Sequence, residues 1–391
     1  MQRHPLAATR TEMMNPSAVR EILKSLSTLG MIAFAAGAPD PESFPLKIID
    51  TLITSILQKQ GAEVLKYGIT EGYPPLREAL AKYVAARGIL CTAADVCIST
   101  GAQGAIDAAT KILTNKGDTI AVEAPTYLSA INTFKCYEAN ILGMASDDHG
   151  LMPSELEKAF SDHNAKFAYV IPNFQNPSGK TLSLQRRQEI AEILKKYDRL
   201  LIEDDPYYEL RYFGEHLPTI KSLAPDHVIY LGSFSKILSP GMRIGYYIAP
   251  RTVADLMTTS RQMVDVHANL LCQAVAAEYI NGGYLEKHLP FIINLYKPKL
   301  QAIKDSLKEF MPKDFSWSDP LGGMFIWVTG PQSFDAADLA QKALIQKVAV
   351  VPGSSFFSNP SDGTNTMRLN FTSLSEEQIR QGIKVLGDLL K

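Results

Sequence analysis

Lys236 lies in a stretch where several reactive side chains gather directly after an apolar run. HVIYLG is followed by Ser233-Phe234-Ser235-Lys236 and then by Pro240-Gly241-Met242-Arg243-Ile244-Gly245. A lysine amine forms an imine with an aldehyde once its pKa is drawn down from about 10.4. The hydroxyls of Ser233 and Ser235 with the Arg243 guanidinium have the donors of a phosphate cradle. Alone, the SxSK stretch reads as a solvated loop lysine; Arg243 and Gly245 at their offsets reverse that in favour of the site.

Three further stretches have the same form. RLLIED ends in Glu203 and Asp204, followed by Asp205 and then Tyr207. A carboxylate there can keep a pyridine nitrogen protonated and a phenol can donate to a ring oxygen, although an acidic metal cluster or a plain turn fits the same residues. FAYVIP leads into Asn176-Pro177-Ser178-Gly179, either a turn or an amide donor to that ring oxygen. CIST runs through Gly101-Ala102-Gln103-Gly104 into a helix, whose N-terminal amides and dipole suit a phosphate. That loop is neither GxGxxG nor a Walker motif, which disfavours dinucleotides and nucleoside triphosphates. Tyr127, after the run TIAVEAP, can stack on a planar ring or belong to the core.

The elements that must position these groups alternate. DVCIST, DTIAVE, FAYVIP, RLLIED, HVIYLG and IGYYIA read as strands, with helical stretches such as GAIDAATKIL and QRRQEIAEILKKY between them. Near-continuous apolar strands alternating with helices predict an α/β unit with a mostly parallel sheet covered on both faces, and ligands then sit beyond the carboxyl ends of its strands. After residue 254 come long helical stretches, then GGMFIWV, AVVPGSSF, TMRLNFT and a closing helix SEEQIRQGIKVLGDLL, which predicts a smaller α+β unit. An amphipathic helix is expected over 15–29, with Asn15 as cap, Pro16 at the first position and Val19, Ile22, Leu23 and Leu26 on one face. GAPDPESFP follows as an extended crossing segment. The expected division is 1–45 packing with the small unit, 46–275 as the large unit and 276–391 as the small one.

The whole chain restricts the function class. Its 391 residues suffice for two cores, and 46% hydrophobic and 20% charged residues with a net charge of −2 give no footprint for nucleic acid or an anionic membrane. No apolar run approaches a membrane span, and the N-terminus lacks the apolar region of an export signal. Cys91, Cys97, Cys136 and Cys272 are scattered without a CxxC pair, as expected of reduced thiols in a cytoplasm. No metal is expected.

Taken together in chain order, TGAQGA, EAPTY, PNFQNPSG, EDDPYY, GSFSK with its arginine, and MRLNF resemble the fold-type I pyridoxal-phosphate aminotransferases of class I/II. The resemblance runs from about residue 15 to the C-terminus and is nearest to the 2-aminoadipate, kynurenine and aromatic branch. It implies a three-layer α/β fold with a mostly parallel seven-stranded-type sheet and a smaller α+β domain. It also implies pyridoxal 5′-phosphate bound through Lys236, with Asp204 on the pyridine nitrogen, Asn176 and Tyr207 on the phenolic oxygen and Tyr127 stacked on the ring. Ser233, Ser235, Arg243, Gln103 and the amide of Ala102 would hold the phosphate, joined by Tyr67 from a neighbouring subunit in a homodimer with shared sites. Arg368 matches the arginine that clamps the substrate α-carboxylate, a task suited to its planar fork. Gly37, preceded here by Ala36 where relatives often carry a second glycine, lies near the substrate, and Arg20 falls where aminoadipate-type relatives recognise the side chain.

The implied reaction moves an amino group from an L-amino acid of 2-aminoadipate, aromatic, kynurenine or branched-chain type to a 2-oxo acid, with 2-oxoglutarate as acceptor, by ping-pong turnover. Two other readings share the cofactor residues: a carbon–sulfur β-lyase, and the ligand-sensing domain of a regulator. The second expects a DNA-binding domain, for which few residues precede the first expected helix.

Overall fold

The computed structural model describes residues 4, 6–13 and 30–391, so the helix expected over 15–29, and Arg20 on it, lie outside the described residues. The strands are β1 Ile32–Ala33, β2 Val96–Thr100, β3 Thr119–Ala124, β4 Asn140–Asp147, β5 Gly150–Leu151, β6 Phe167–Val170, β7 Leu200–Asp204, β8 Val228–Ser233, β9 Ile244–Ile248, β10 Ser316–Trp317, β11 Phe325–Thr329, β12 Val348–Ala349, β13 Val351–Pro352 and β14 Thr366–Asn370.

The large sheet has eight strands in the order β2-β9-β8-β7-β6-β3-β4-β5. β8, β7, β6, β3 and β4 run parallel, while β9 is antiparallel to both β8 and β2, so β2 points with the parallel block. Only β9 and the two-residue β5 oppose it. Both faces are buried, as the continuous apolar runs require. Ile202 and Leu231 enter a cluster with Ile106 and Phe134 of the helices Gly101–Leu113 and Leu128–Cys136. Their neighbours Leu201 and Val228 face Ile190 and Leu194 of the helix Leu184–Tyr197 on the other side. β4 was not among the strands legible in the sequence. It lies next to the sheet edge with only Met144 buried, so it carries no continuous apolar run.

The second sheet is antiparallel in the order β10-β11-β14-β13. The long helix Tyr284–Phe310 and the closing helix Glu376–Leu389 cover it through Ile292, Leu307, Ile379 and Ile383. The segment at residue 32 returns to this side of the molecule, because β1 pairs in parallel with β12. The helix Leu270–Asn281 runs across residue 275, and its Val275, Ala276 and Ala277 pack with Leu52 and Leu80. A boundary at 275 therefore falls inside an element. Among the described residues no helix is long and apolar enough to cross a membrane.

Candidate active site

Five strands of the large sheet end at one edge, and each is followed by a residue singled out from the sequence. Gly101 follows β2, Tyr127 follows β3, Asn176 comes after β6, Asp204 closes β7 and Lys236 comes after β8. Arg243 reaches the same edge for the opposite reason: it precedes β9, whose reversal brings its start to where its neighbours end. Tyr127, Asn176, Asp204, Lys236 and Arg243, with Arg368 from β14, line one cavity of about 530 Å³.

At its floor Asp204 is buried, and burial pushes its carboxyl up to about 7, helped by the adjacent Asp205 charge and opposed by a hydrogen bond from Tyr169. Tyr169 donates its hydroxyl to Oδ2 at 2.6 Å, while Oδ1 is buried with no partner. A buried half-free carboxylate in a cavity wall calls for a cationic N–H, which a protonated pyridine nitrogen supplies. The three consecutive acids are not a metal cluster. Glu203 accepts the amides of Ile220 and Lys221 at 2.9 and 2.7 Å, and Asp205 accepts from Asn173 at 2.8 Å.

The end of the cavity at Arg243 is built on close backbone approach. A Cβ on Gly245 would lie 2.5 Å from the Gly101 carbonyl carbon and 2.7 Å from the Ala102 nitrogen, so only glycine lets β9 meet the start of the helix Gly101–Leu113. Gly101 has φ +69°, and a side chain there would meet the Arg243 guanidinium. Arg243 itself holds a left-handed backbone, φ 55°, a conformation costly for a non-glycine residue and concentrated at functional sites. Ser233 Oγ donates to Ser235 Oγ at 3.0 Å and accepts the Ser235 amide at 3.1 Å, which draws both hydroxyls to the cavity beside that arginine. A compact anion at this end meets two hydroxyls, a guanidinium and a helix N-terminus.

The Lys236 amine lines the same cavity. Burial, with the Arg368 and Arg243 guanidiniums, brings it down to about 8, and it donates to the Gly37 carbonyl at 2.9 Å. Such an amine is far more often neutral at physiological pH than a surface lysine.

Arg368 is buried on β14, opposite Trp327 and Val351 in register. Its Nη1 donates to Asn176 Oδ1 and its Nη2 to the Ala35 carbonyl, both at 3.0 Å, and Nε is buried without a partner. The guanidinium lies over the Phe325 ring at 4.4 Å and the Phe356 ring at 4.9 Å. Burial lowers its pKa to about 10, opposed by Tyr207 and Tyr127, so it stays charged at neutral pH. Asn176 also hydrogen-bonds the Tyr207 phenol, whose pKa burial raises.

Ala102, Gln103, Gly37, Ser233 and Ser235 line the same cavity. Gln103 does so with its Nε2 bonded to Thr133 Oγ1 at 2.7 Å and its Oε1 buried without a partner. Tyr67 is elsewhere: its side chain is 84% exposed, edge-on to His267 at 5.9 Å. Sequence reasoning passed over Tyr169, which sits beside Ile202 in the β6–β7 register and so shares a sheet face with Asp204 two residues on. It also passed over Phe325 and Phe356 beneath Arg368, and Leu128 and Ile171 in the wall. Parallel register would have exposed Tyr169; the others sit in ordinary apolar runs and carry no signal.

The family described as "Aminotransferase class I and II" matches residues 30–386. The chain is 43% identical over 385 residues to aromatic-amino-acid aminotransferase 1 of Thermococcus litoralis, covering 97% of this chain and 92% of that protein. It is similar to the structure of Pyrococcus horikoshii kynurenine aminotransferase in complex with PMP, KYN as substrates and KYA as products: TM-score 0.94, 41% identity, 99% and 98% of the two chains covered. It is also similar to LysN, the α-aminoadipate aminotransferase of Thermus thermophilus complexed with N-(5′-phosphopyridoxyl)-L-leucine, with TM-score 0.92, 33% identity and 98% and 97% covered. A cavity with a depressed lysine amine, a half-free buried carboxylate and an anion cradle is what such a cofactor needs, and the chain belongs to the class I and II aminotransferases, the pyridoxal-phosphate enzymes.

Proposed function

We propose that this aminotransferase takes its amino group from L-amino acids with aromatic or other large apolar side chains, kynurenine included, and delivers it to 2-oxoglutarate in ping-pong turnover. The carrying observation is the pairing of Arg368 with an apolar wall. The cavity that holds the guanidinium is also lined by Leu128, Ile171 and Phe356, and its cations among the described residues are Lys236, Arg243 and Arg368. A carboxylate-ended side chain such as that of 2-aminoadipate meets no further cation there among the described residues, and Arg20, the candidate for that task, lies outside them. The relatives named for aromatic amino acids and kynurenine support the same class.

The cofactor, pyridoxal 5′-phosphate, supplies a ring that delocalises the charge left at the substrate α-carbon and carries the amino group between the two substrates. Asp204 Oδ1 would accept the pyridine N–H, and Tyr169 keeps that carboxylate aimed. Asn176 and Tyr207 donate to the ring oxygen, and Tyr127 covers a face of the ring. Ser233, Ser235, Arg243, Gln103 and the Ala102 amide bind the phosphate, and in a homodimer Tyr67 of each chain reaches the other's phosphate. Arg368 binds the substrate α-carboxylate through its fork, and Gly37 borders the substrate. Lys236 Nζ, held close to neutrality, would act as the base that removes the substrate α-proton.

The large unit that binds the cofactor starts at 46, its boundary moved from 275 to the end of the helix Leu270–Asn281, and 1–45 joins a small unit that begins after that helix. This is supported by the confinement of the eight-stranded sheet to 96–248 and by the β1–β12 pairing. Four free cysteines suit a cytoplasmic setting.

Mixing the loaded enzyme with a donor panel and following the cofactor absorbance tests the reading. Phenylalanine, tyrosine, kynurenine and leucine should convert it to the amine form faster than 2-aminoadipate, and 2-oxoglutarate should convert it back. Fastest conversion by 2-aminoadipate would overturn the donor class.

A further inference from the structure

Residues 36–39 line the cavity, and two of its cations donate to the segment 34–40: Arg368 to the Ala35 carbonyl at 3.0 Å and Lys236 to the Gly37 carbonyl at 2.9 Å. Its other contacts run to the end of the strand that carries Arg368. The Asn370 amide donates to the Phe34 carbonyl at 2.8 Å, and Thr372 Oγ1 donates to the Ala38 carbonyl at 3.3 Å.

The segment ends on a buried ion pair. Lys299, on the helix Tyr284–Phe310, donates to Asp40 Oδ2 at 2.5 Å and to the Thr372 carbonyl at 2.9 Å. The two side chains are 10% and 12% exposed. Asp40 is further fixed through its amide, which donates to Tyr296 Oη at 3.0 Å, and through Oδ1, which accepts the Glu42 amide at 2.9 Å. Apolar side chains would fill this place at no desolvation cost, so stability alone is a weak reason for two charges. What the charges achieve is a three-way tie. One ammonium joins the crossing segment, the strand end after Arg368 and the long helix, and sliding any one past the others breaks a charge-assisted bond.

We propose that Asp40 and Lys299 are a positioning pair for transamination. They hold residues 35–38 so that the Ala35 and Gly37 carbonyls aim Arg368 and Lys236 at the bound substrate. This rests on the reading of Arg368 as the carboxylate clamp. Without the pair the clamp keeps its charge and loses its alignment, which weakens every substrate through the carboxylate that donors and acceptors share.

The test uses cofactor-loaded full-length enzyme carrying Asp40→Asn or Lys299→Met, with Arg368→Ala as reference. Equilibrium binding of 3-phenylpropanoate, a carboxylate that cannot react, is measured beside KM for donor and acceptor, cofactor content and Tm. Both pair variants should bind the carboxylate about tenfold to a hundredfold more weakly and raise both KM values together, with cofactor content per chain unchanged. A purely structural pair would lower Tm and yield and leave the affinity of loaded protein at the wild-type value, which overturns the proposal. Should a single variant fail to fold, Asp40→Leu with Lys299→Met removes both charges at once and is held to the same affinity criterion. If Arg368→Ala weakens binding and the pair variants do not, this proposal alone falls. If Arg368→Ala also leaves binding unchanged, the carboxylate-clamp reading falls with it.

Discussion

Tyr169 donates its hydroxyl to Oδ2 of Asp204 at 2.6 Å and leaves Oδ1 of that carboxylate buried and unpartnered. One oxygen is fixed so that the other can be given to a ligand, and the ligand's N–H completes a set that the protein leaves incomplete.

That arrangement has a cost visible in the cofactor-free protein. Folded, the Asp204 carboxyl ionises near 7 because it is buried, while in the unfolded chain it ionises near about 3.9. Between these values the unfolded chain has released a proton that the folded one retains, so this group's contribution falls as pH rises through the window, by about 4 kcal/mol in all. Denaturant unfolding of cofactor-free Asp204→Asn at several pH values should show a shallower decline than wild type; equal slopes would refute it. The loaded variant should lose about 10²–10³-fold in turnover.

Lys236 makes a prediction of opposite character. An amine reacts with acylating reagents only when neutral, and burial with two neighbouring guanidiniums brings this one to about 8. Mass-spectrometric acetylation rates on cofactor-free enzyme should rise for Lys236 as pH climbs to 8 and then level off. Surface lysines should keep rising toward about 10.4. A Lys236 profile matching theirs would remove the basis for a neutral amine. Lys236→Ala should abolish turnover.

Arg368→Ala should act on substrates far more than on the cofactor. Losing charge-assisted hydrogen bonds worth about 1.5–3 kcal/mol should weaken carboxylate binding roughly tenfold to a hundredfold. Titration with donor amino acids reads the effect, and Arg368→Lys should recover only part of it, because an ammonium lacks the fork.

Two glycines near the phosphate end should respond in opposite senses. Gly245→Ala puts a methyl 2.5 Å from the Gly101 carbonyl carbon, whereas at Gly104 the nearest atom is 3.6 Å away, the Thr100 Cβ. The first should lower cofactor affinity and Tm together. The second should leave affinity intact and stabilise the helix Gly101–Leu113 by up to about 1 kcal/mol. Comparable losses in both would show that backbone approach is not what the cradle depends on.

Lys236, Asp204, Asn176 and Arg243 were legible because each follows or precedes an apolar run that could only be a buried strand. The polar ends of such strands gather at one edge whatever the loops do. Tyr169 was not, because its partnership with Asp204 depends on which residues of β6 and β7 stand side by side, and register is set by packing across the sheet. Phe325 and Phe356 look like any core residues until Arg368 lies over them. Asn140–Asp147 hid for the converse reason, since a strand with one buried residue has no pattern to read. Tyr67 carries a resemblance and no geometry of its own within the chain.

The loop from Phe234 to Met242 and Arg243 joins two adjacent strands, third and second from the β2 edge of the large sheet, and carries both the Lys236 amine and the guanidinium proposed to hold the phosphate. A cofactor joined to Lys236 and Arg243 of that one hairpin would act as a clasp across it. Loading should therefore slow backbone amide exchange through β8 and β9 more than at the β4–β5 edge, making the prosthetic group part of the scaffold's mechanical closure as well as its chemistry.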